Sequence, residues 1–191
     1  AADSIEKLPE AEWHVIAKAK NPPIWAPELH IIDGKPMVLC STGVPEYGAF
    51  VYSHVMEATG DDLLDINCWS EPRPIKRADG SPLGKFTLDM TYFEWNGRHY
   101  YMFPICKGKM NGEKNEEGYV DNFTWISDIY IAEFDPSRPD RLISDTVLIT
   151  RPTYSYERAN THVDEGPFAL KHDGRLFVTI AVNEVGDGYG I

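Results

Sequence analysis

Three two-residue turns, Asp33-Gly34, Asn96-Gly97 and Asp173-Gly174, leave this chain few ways to fold. Each stands between two apolar runs, in WAPELHIIDGKPMVLCST (25–42), TLDMTYFEWNGRHYYMFP (87–104) and VDEGPFALKHDGRLFVTIAV (163–182). A type I′ turn needs positive φ at both central positions, which Asp-Gly and Asn-Gly reach with little strain. Each segment therefore reads as a β-hairpin. Helical periodicity is almost absent, and Gly, Pro, Asn and Asp punctuate short β-rich runs throughout, which makes the chain all-β.

A third strand follows two of the hairpins, FVYSHVM (50–56) and DIYIAEFD (128–135), and a fourth is clear at TVLIT (146–150) but indistinct around 65–69. Units of about four antiparallel strands, recurring roughly every 60–80 residues, are the blades of a β-propeller. A β-sandwich with long loops is the competing architecture. The order of hairpin followed by outer strand favours the propeller.

At 191 residues the chain can bury a sizeable core. Its net charge of −12 offers no basic stripe to release counterions, which argues against nucleic acid and anionic membranes as partners. No apolar run approaches membrane-spanning length. An acidic chain rich in Trp and Tyr suits a neutral ligand, sugars first, although most of the acids read as solubilising surface. Cys40, Cys68 and Cys106 show no CxxC spacing, so buried free thiols at 40 and 106 are expected and a zinc site is not. The opening AADSIEKLPEAEW has no signal-peptide pattern but does not begin with Met, so secreted and cytoplasmic locations both stay open.

Every hairpin unit carries a carboxylate ahead of its turn: Glu28, Asp89 and Glu165. In a propeller the first strand of each blade is innermost and its start faces the central cavity. Three carboxylates would then converge at one mouth, an arrangement that costs free energy through repulsion and desolvation and is rarely kept for stability alone. It suits acid–base chemistry. Glu165, fixed by the following Gly166-Pro167 and crowded by Asp89 and aromatic walls, would hold its proton as a general acid. Taken alone, Asp164-Glu165 would be a solvated loop cap; the matching acids at 28 and 89 weigh against that.

The segments IWAPELHIIDGK, LDMTYFEWNGRHYYMF, SDIYIAEFD and DEGPFALKHDGRLFVTIAVN, in this order, resemble glycoside hydrolase family 43, the five-bladed propeller glycosidases, and within it the α-L-arabinofuranosidase-like branch. The resemblance runs from Ser4 to Ile191. It implies one partial propeller catalytic domain over 1–191: the tail of blade one in 1–24, blade two over about 25–70, blade three over about 86–150 and the start of blade four in about 163–191. By motif match, Glu165 would protonate the departing glycosidic oxygen in an inverting mechanism, and Asp89 would orient that acid and raise its pKa. The family's general base, an Asp on the first strand of the first blade, has no matching residue, and Glu28 corresponds to a pocket residue, not the base. The 191-residue chain alone is therefore expected to hydrolyse little or nothing.

The implied substrates are arabinofuranosyl units of arabinan or arabinoxylan, with β-xylosidase action as the near alternative. A non-catalytic propeller that binds carbohydrate or protein is the rival of another class, since fold does not fix function. No cofactor is implied; an axial metal ion occurs in such propellers, but no ligand for it is assigned. Trp25 would stack on a sugar face and Glu28 would help form the pocket. Trp125 would meet more distant sugar units and His162 would reach toward the pocket. Arg98 and His99 fall on an outer hairpin edge, and 107–122 reads as a mobile, solvated insertion. The oligomeric state stays open.

Overall fold

The computed structural model describes residues 2–18, 20–47, 49–107, 126–159, 161–183 and 189–191. Among these, the strands in chain order are β1 (Ile24–Ile32), β2 (Lys35–Val44), β3 (Ala49–Glu57), β4 (Arg73–Pro74) and β5 (Thr91–Trp95), then β6 (Arg98–Lys107), β7 (Ile126–Phe134), β8 (Val147–Thr150), β9 (His162–His172) and β10 (Arg175–Val182). The only helical pieces described are short 3₁₀ turns. The three hairpin turns form as their residues require. Asp33, Asn96 and Asp173 have φ of 48°, 51° and 48°, and each following glycine is also positive.

Two antiparallel units result. One runs β1-β2-β3-β4, and the other runs β5-β6-β7 with β8 on the far edge of β7. The β9–β10 hairpin joins the second unit through a short parallel contact, Ile126↔His162 and Ser127↔Val163. One edge of β7 is thus divided: its first two residues meet β9, and β8 pairs from Ile129 onward. The fourth strand of the first unit is not at 65–69, where a 3₁₀ turn (Ile66–Cys68) and a single bridge from Trp69 to Ala58 stand instead. It is Arg73–Pro74, paired with Val55 and His54. Prolines 72 and 74 lack the N–H that a ladder uses, which is why so short an edge strand carries so little sequence signal.

The central strands are covered on both faces. β2 is buried almost continuously from Met37 to Thr42, as is β6 from Tyr101 to Cys106. Between the two units lies one apolar core, with Ile32, Leu39, Tyr52 and Val55 from the first facing Met90, Tyr101, Phe103 and Phe134 from the second. Tyr101 and Phe134 stack with centroids 3.7 Å apart. Burying each such side chain is worth about 1.5–3 kcal/mol. Tyr52 also ties the connection between units in place: its hydroxyl donates to the Ile75 carbonyl at 2.6 Å and accepts from the Leu83 amide at 2.8 Å. The hairpin at the other end differs, because Phe168, Leu170, Phe177 and Val178 on β9 and β10 are exposed.

Candidate active site

Asp89 is placed by the segment that leads into β5. The Thr87 amide donates to the Val51 carbonyl, the Thr87 hydroxyl accepts from the Ser53 amide at 2.9 Å, and the Phe86 carbonyl accepts from the Cys106 amide. The lead is thus held between β3 and β6, and Thr87 is fully buried there. Asp89 then turns the chain with φ of 43°, a left-handed conformation that L side chains adopt at a cost of about 1–2 kcal/mol. Its carboxylate emerges toward β9 and accepts the Gly166 amide at 3.2 Å. Burial pushes the Asp89 carboxyl upward, the Gly166 amide pulls it back, and the charge of Glu28 raises it again.

Glu165 lies one residue before that amide, so the hydrogen bond joins the backbone of one sequence-named acid to the side chain of another. The Tyr189 hydroxyl also bonds Glu165; burial, the Glu165 carboxylate and Asp89 together push the Tyr189 phenol up to about 12. Beneath the pair sits Cys106, whose thiol is pushed up to about 12, first by burial and then by the charges of Glu165, Asp89 and Asp128. Asp89 is thus within reach of the charge of Glu28, and Asp89 and Glu165 both bear on Cys106 and Tyr189. One detail differs from the sequence reading. Glu28 and Glu165 lie inside β1 and β9 instead of at their starts, because both strands continue upstream through a kink. In β1 the register shifts between Trp25 and Glu28, with Ala26 at φ of 44°. In the β9–β10 pair it shifts between Thr179 and Ala181, opposite Gly166 at φ of 52°.

The remaining named residues divide. Trp25 is 39% exposed, with its ring centroid 6.4 Å from that of Phe86, a residue of the segment that leads to Asp89. Glu28 holds His30 at 2.7 Å between its Oε2 and the ring Nε2. His162 opens β9 opposite Ile126, half-buried at the parallel contact. Trp125 and residues 108–122 of the polar insertion fall outside the described residues. Arg98 and His99 belong to the hairpin edge as expected: Arg98 pairs with Glu133, and His99 Nδ1 meets the Tyr92 hydroxyl at 2.9 Å. Cys40 and Cys106 are buried free thiols. Among the described residues no group of three or more His, Cys, Asp or Glu side chains is arranged to hold a metal ion.

Several participants carried no sequence signal. Asp164, quoted only as the neighbour of Glu165, is fully buried. Neither of its oxygens has a partner at hydrogen-bonding geometry, although the Thr150 hydroxyl lies beside it. Burial, with the nearby charge of Glu157, pushes this carboxyl up to about 7. Asp128, also fully buried, accepts at Oδ2 from Lys107 at 3.0 Å, Tyr130 at 3.4 Å and Arg151 at 3.4 Å. Ser127, Tyr189 and the Gly166 amide complete the set. An acid doublet before Gly-Pro was the one legible hint among them.

The chain matches the family model for glycosyl hydrolases family 43 over residues 5–191. It is 28% identical to alpha-L-arabinofuranosidase 43 of Humicola insolens, an alignment covering 98% of this chain and 36% of the relative. It is 30% identical to an extracellular exo-alpha-(1->5)-L-arabinofuranosidase of Streptomyces chartreusis, covering 87% of this chain and 44% of that protein. Among solved structures, the alpha-L-arabinofuranosidase from Lactobacillus brevis superposes with a TM-score of 0.66 at 30% identity, covering 87% of this chain and 47% of the other. The chain thus spans less than half the length of these relatives. Two β units that bring Asp89 against the strand of Glu165, and a family match across nearly every residue, lead to one conclusion: this chain belongs to the glycosyl hydrolases of family 43.

Proposed function

We propose that this chain carries the general acid of a glycosidase that acts on arabinofuranosyl linkages of plant cell-wall polysaccharide, with xylosyl linkages as the close alternative. One observation carries the reading: the Gly166 amide, one residue after Glu165, is bound by the Asp89 carboxylate. Glu165 then protonates the departing glycosidic oxygen while the bond from the anomeric carbon breaks. Asp89 holds the acid's backbone and, as a second negative charge, helps it keep its proton. Water attacks the opposite face and gives its proton to a base carboxylate ~6.5–9.5 Å away, the spacing of inverting enzymes. No acid of these 191 residues is assigned as that base.

Trp25 stacks on the sugar, Glu28 and His162 line the pocket, and Trp125 meets more distant units. We read the chain as one partial propeller, with the tail of blade one in 1–24, blade two over about 25–70, blade three over about 86–150 and the start of blade four in about 163–191. Relatives named arabinofuranosidases, at 28–30% identity, support the arabinose preference. The test is hydrolysis of arabino- and xylo-oligosaccharides by the full-length protein, with the anomer of the first product followed by NMR. Glu165→Gln is expected to lower kcat by ~10²–10⁴-fold. An unchanged rate in that variant removes Glu165 from the chemistry, and a retained anomeric configuration removes the inverting mechanism.

A further inference from the structure

Ser127 is fully buried at the second position of β7, where that strand's edge meets β9. Its hydroxyl donates to the Asp164 carbonyl at 2.7 Å and accepts from the Cys106 thiol at 3.5 Å. That carbonyl belongs to the peptide bond whose nitrogen is Glu165. Just beyond, the Gly166 amide donates to Asp89 at 3.2 Å. The three residues around the acid are thus held by side chains from two other segments, Ser127 on one side and Asp89 on the other.

The sheet holds this stretch from the β10 edge only. The parallel contact between β7 and β9 spans only Ile126↔His162 and Ser127↔Val163, ending just before Asp164. On the other edge the ladder with β10 breaks between Thr179 and Ala181, opposite the left-handed Gly166. Asp164 and Glu165 pair with Val182 and Ala181 on β10, but the ladder breaks at the next residue and the β7 edge offers no further pairing, so side chains help to set how the kink sits. Packing gives no reason for a hydroxyl between Cys106 and β9, whereas anchoring a carbonyl does.

We propose that Ser127 is a positioning residue for Glu165, its hydroxyl anchoring the preceding peptide so that the acid's carboxyl keeps a fixed place relative to Asp89. The proposal rests on Glu165 being the general acid. Ser127 touches no substrate and acts only through the Asp164–Glu165 peptide. Misplacing a reacting group by about an ångström can cost ~100-fold in rate. The loss should depend on the leaving group, because a nitrophenolate departs without a proton and a sugar alkoxide does not.

The experiment compares Ser127→Ala, Ser127→Thr and Ser127→Val in the full-length protein, on an arabino-oligosaccharide and on 2,4-dinitrophenyl arabinofuranoside. Thr and Val share one shape, so that pair separates the hydroxyl from the added volume. Ala and Val should lose ~10–100-fold on the oligosaccharide and less than about threefold on the aryl glycoside, with Thr holding near the parent. Equal losses on both substrates, or Thr failing as badly as Val, overturn the proposal. Glu165→Ala, run alongside, tests the underlying reading: if it shows no leaving-group dependence, Glu165 is not the acid. The anchor is then judged by NMR of the full-length protein. The Gly166 amide shift should follow the titration of Asp89 in the parent and lose half or more of that response in Ser127→Val but not in Ser127→Thr. An unchanged response in Ser127→Val means that Ser127 does not hold this peptide.

Discussion

Replacing Asp164 by Asn should stabilise the protein above neutral pH and change it little near pH 4, close to the unfolded Asp value. Asp164 is fully buried, with the Thr150 hydroxyl beside its carboxyl but outside hydrogen-bonding geometry, and that carboxyl rises from 3.8 to about 7. The groups that face it are Glu157, which adds negative charge, Asp128 across the β7 edge, and the Thr150 hydroxyl, which alone favours ionisation. Because the folded state binds this proton more tightly than the unfolded chain, stability falls as pH rises from about 4 to about 7 and is flat above. A rise from 3.8 to about 7 corresponds to a proton held up to about 4 kcal/mol more tightly in the folded chain, and local relaxation around a buried carboxylate reduces this to about 2 kcal/mol. An Asn at 164 never ionises, and its amide is far cheaper to bury than a carboxylate. Urea unfolding of both proteins at unit steps of pH measures the difference directly. The gap should open between pH 4 and 7 and hold near 2 kcal/mol above, within about the range expected of one buried acid. A gap independent of pH would show that folding does not shift the Asp164 carboxyl, and a variant that grows less stable as pH rises above 4 would show that Asp164 is ionised and paired in the folded protein.

Two further outcomes follow from packing and backbone geometry. Tyr52→Phe removes the partner of both the Ile75 carbonyl and the Leu83 amide, and equilibrium unfolding should show a loss of about 2 kcal/mol; a loss below 0.5, roughly the smallest net value of one hydrogen bond, would mean that neither bond contributes. In Gly166→Ala the new Cβ has room, with Ala181 Cβ at 3.8 Å, so the strain comes from φ of 52° alone. That variant should lose about 1 kcal/mol and weaken the Gly166 amide response to Asp89, and full stability would show that the backbone has another conformation to adopt.

What the sequence disclosed and what it hid follow from how local each interaction is. Asp-Gly and Asn-Gly turns act over two residues, so all three hairpins were legible. The register around the acids was not. Ala26 at positive φ has no compositional signature, and without that kink Glu28 looks like the head of a strand when it lies inside one. The β4 strand was hidden by its own prolines. Ser127 and Tyr189 were invisible for another reason: each meets the site through a pairing set by the fold, the parallel contact of β7 with β9 and the bridge from Val182 to Gly190. Spacing could pair acids with turns, but it could not say which backbone those acids would hold.

The distribution of strain bears on the proposed partnership of Asp89 and Glu165. Six described residues other than glycine have positive φ: Asp33, Asn96 and Asp173 are hairpin turns, and the others are Ala26, Asp89 and Asn183. Those three all border the candidate site. Ala26 precedes Glu28 by two residues, Asp89 is itself one of the acids, and the Asn183 amide donates to the Val163 carbonyl two residues before Glu165. Asn183 is further held through its side chain by the Ala159 amide and the Tyr156 carbonyl. An unkinked strand alternates its side chains between the two faces of a blade, so an acid in it points into a neighbouring blade or away from it. A bulge redirects one side chain out of that alternation. Each left-handed residue costs on the order of 1–3 kcal/mol. On the proposed reading, the left-handed turns at Ala26 and Asp89 set the direction of Glu28 and Asp89, and the turn at Asn183 holds the strand that carries Glu165. A proton donor and the charge that tunes it must keep a fixed separation through the reaction, and a geometry fixed at folding spares the active site from reorganising when the bond breaks.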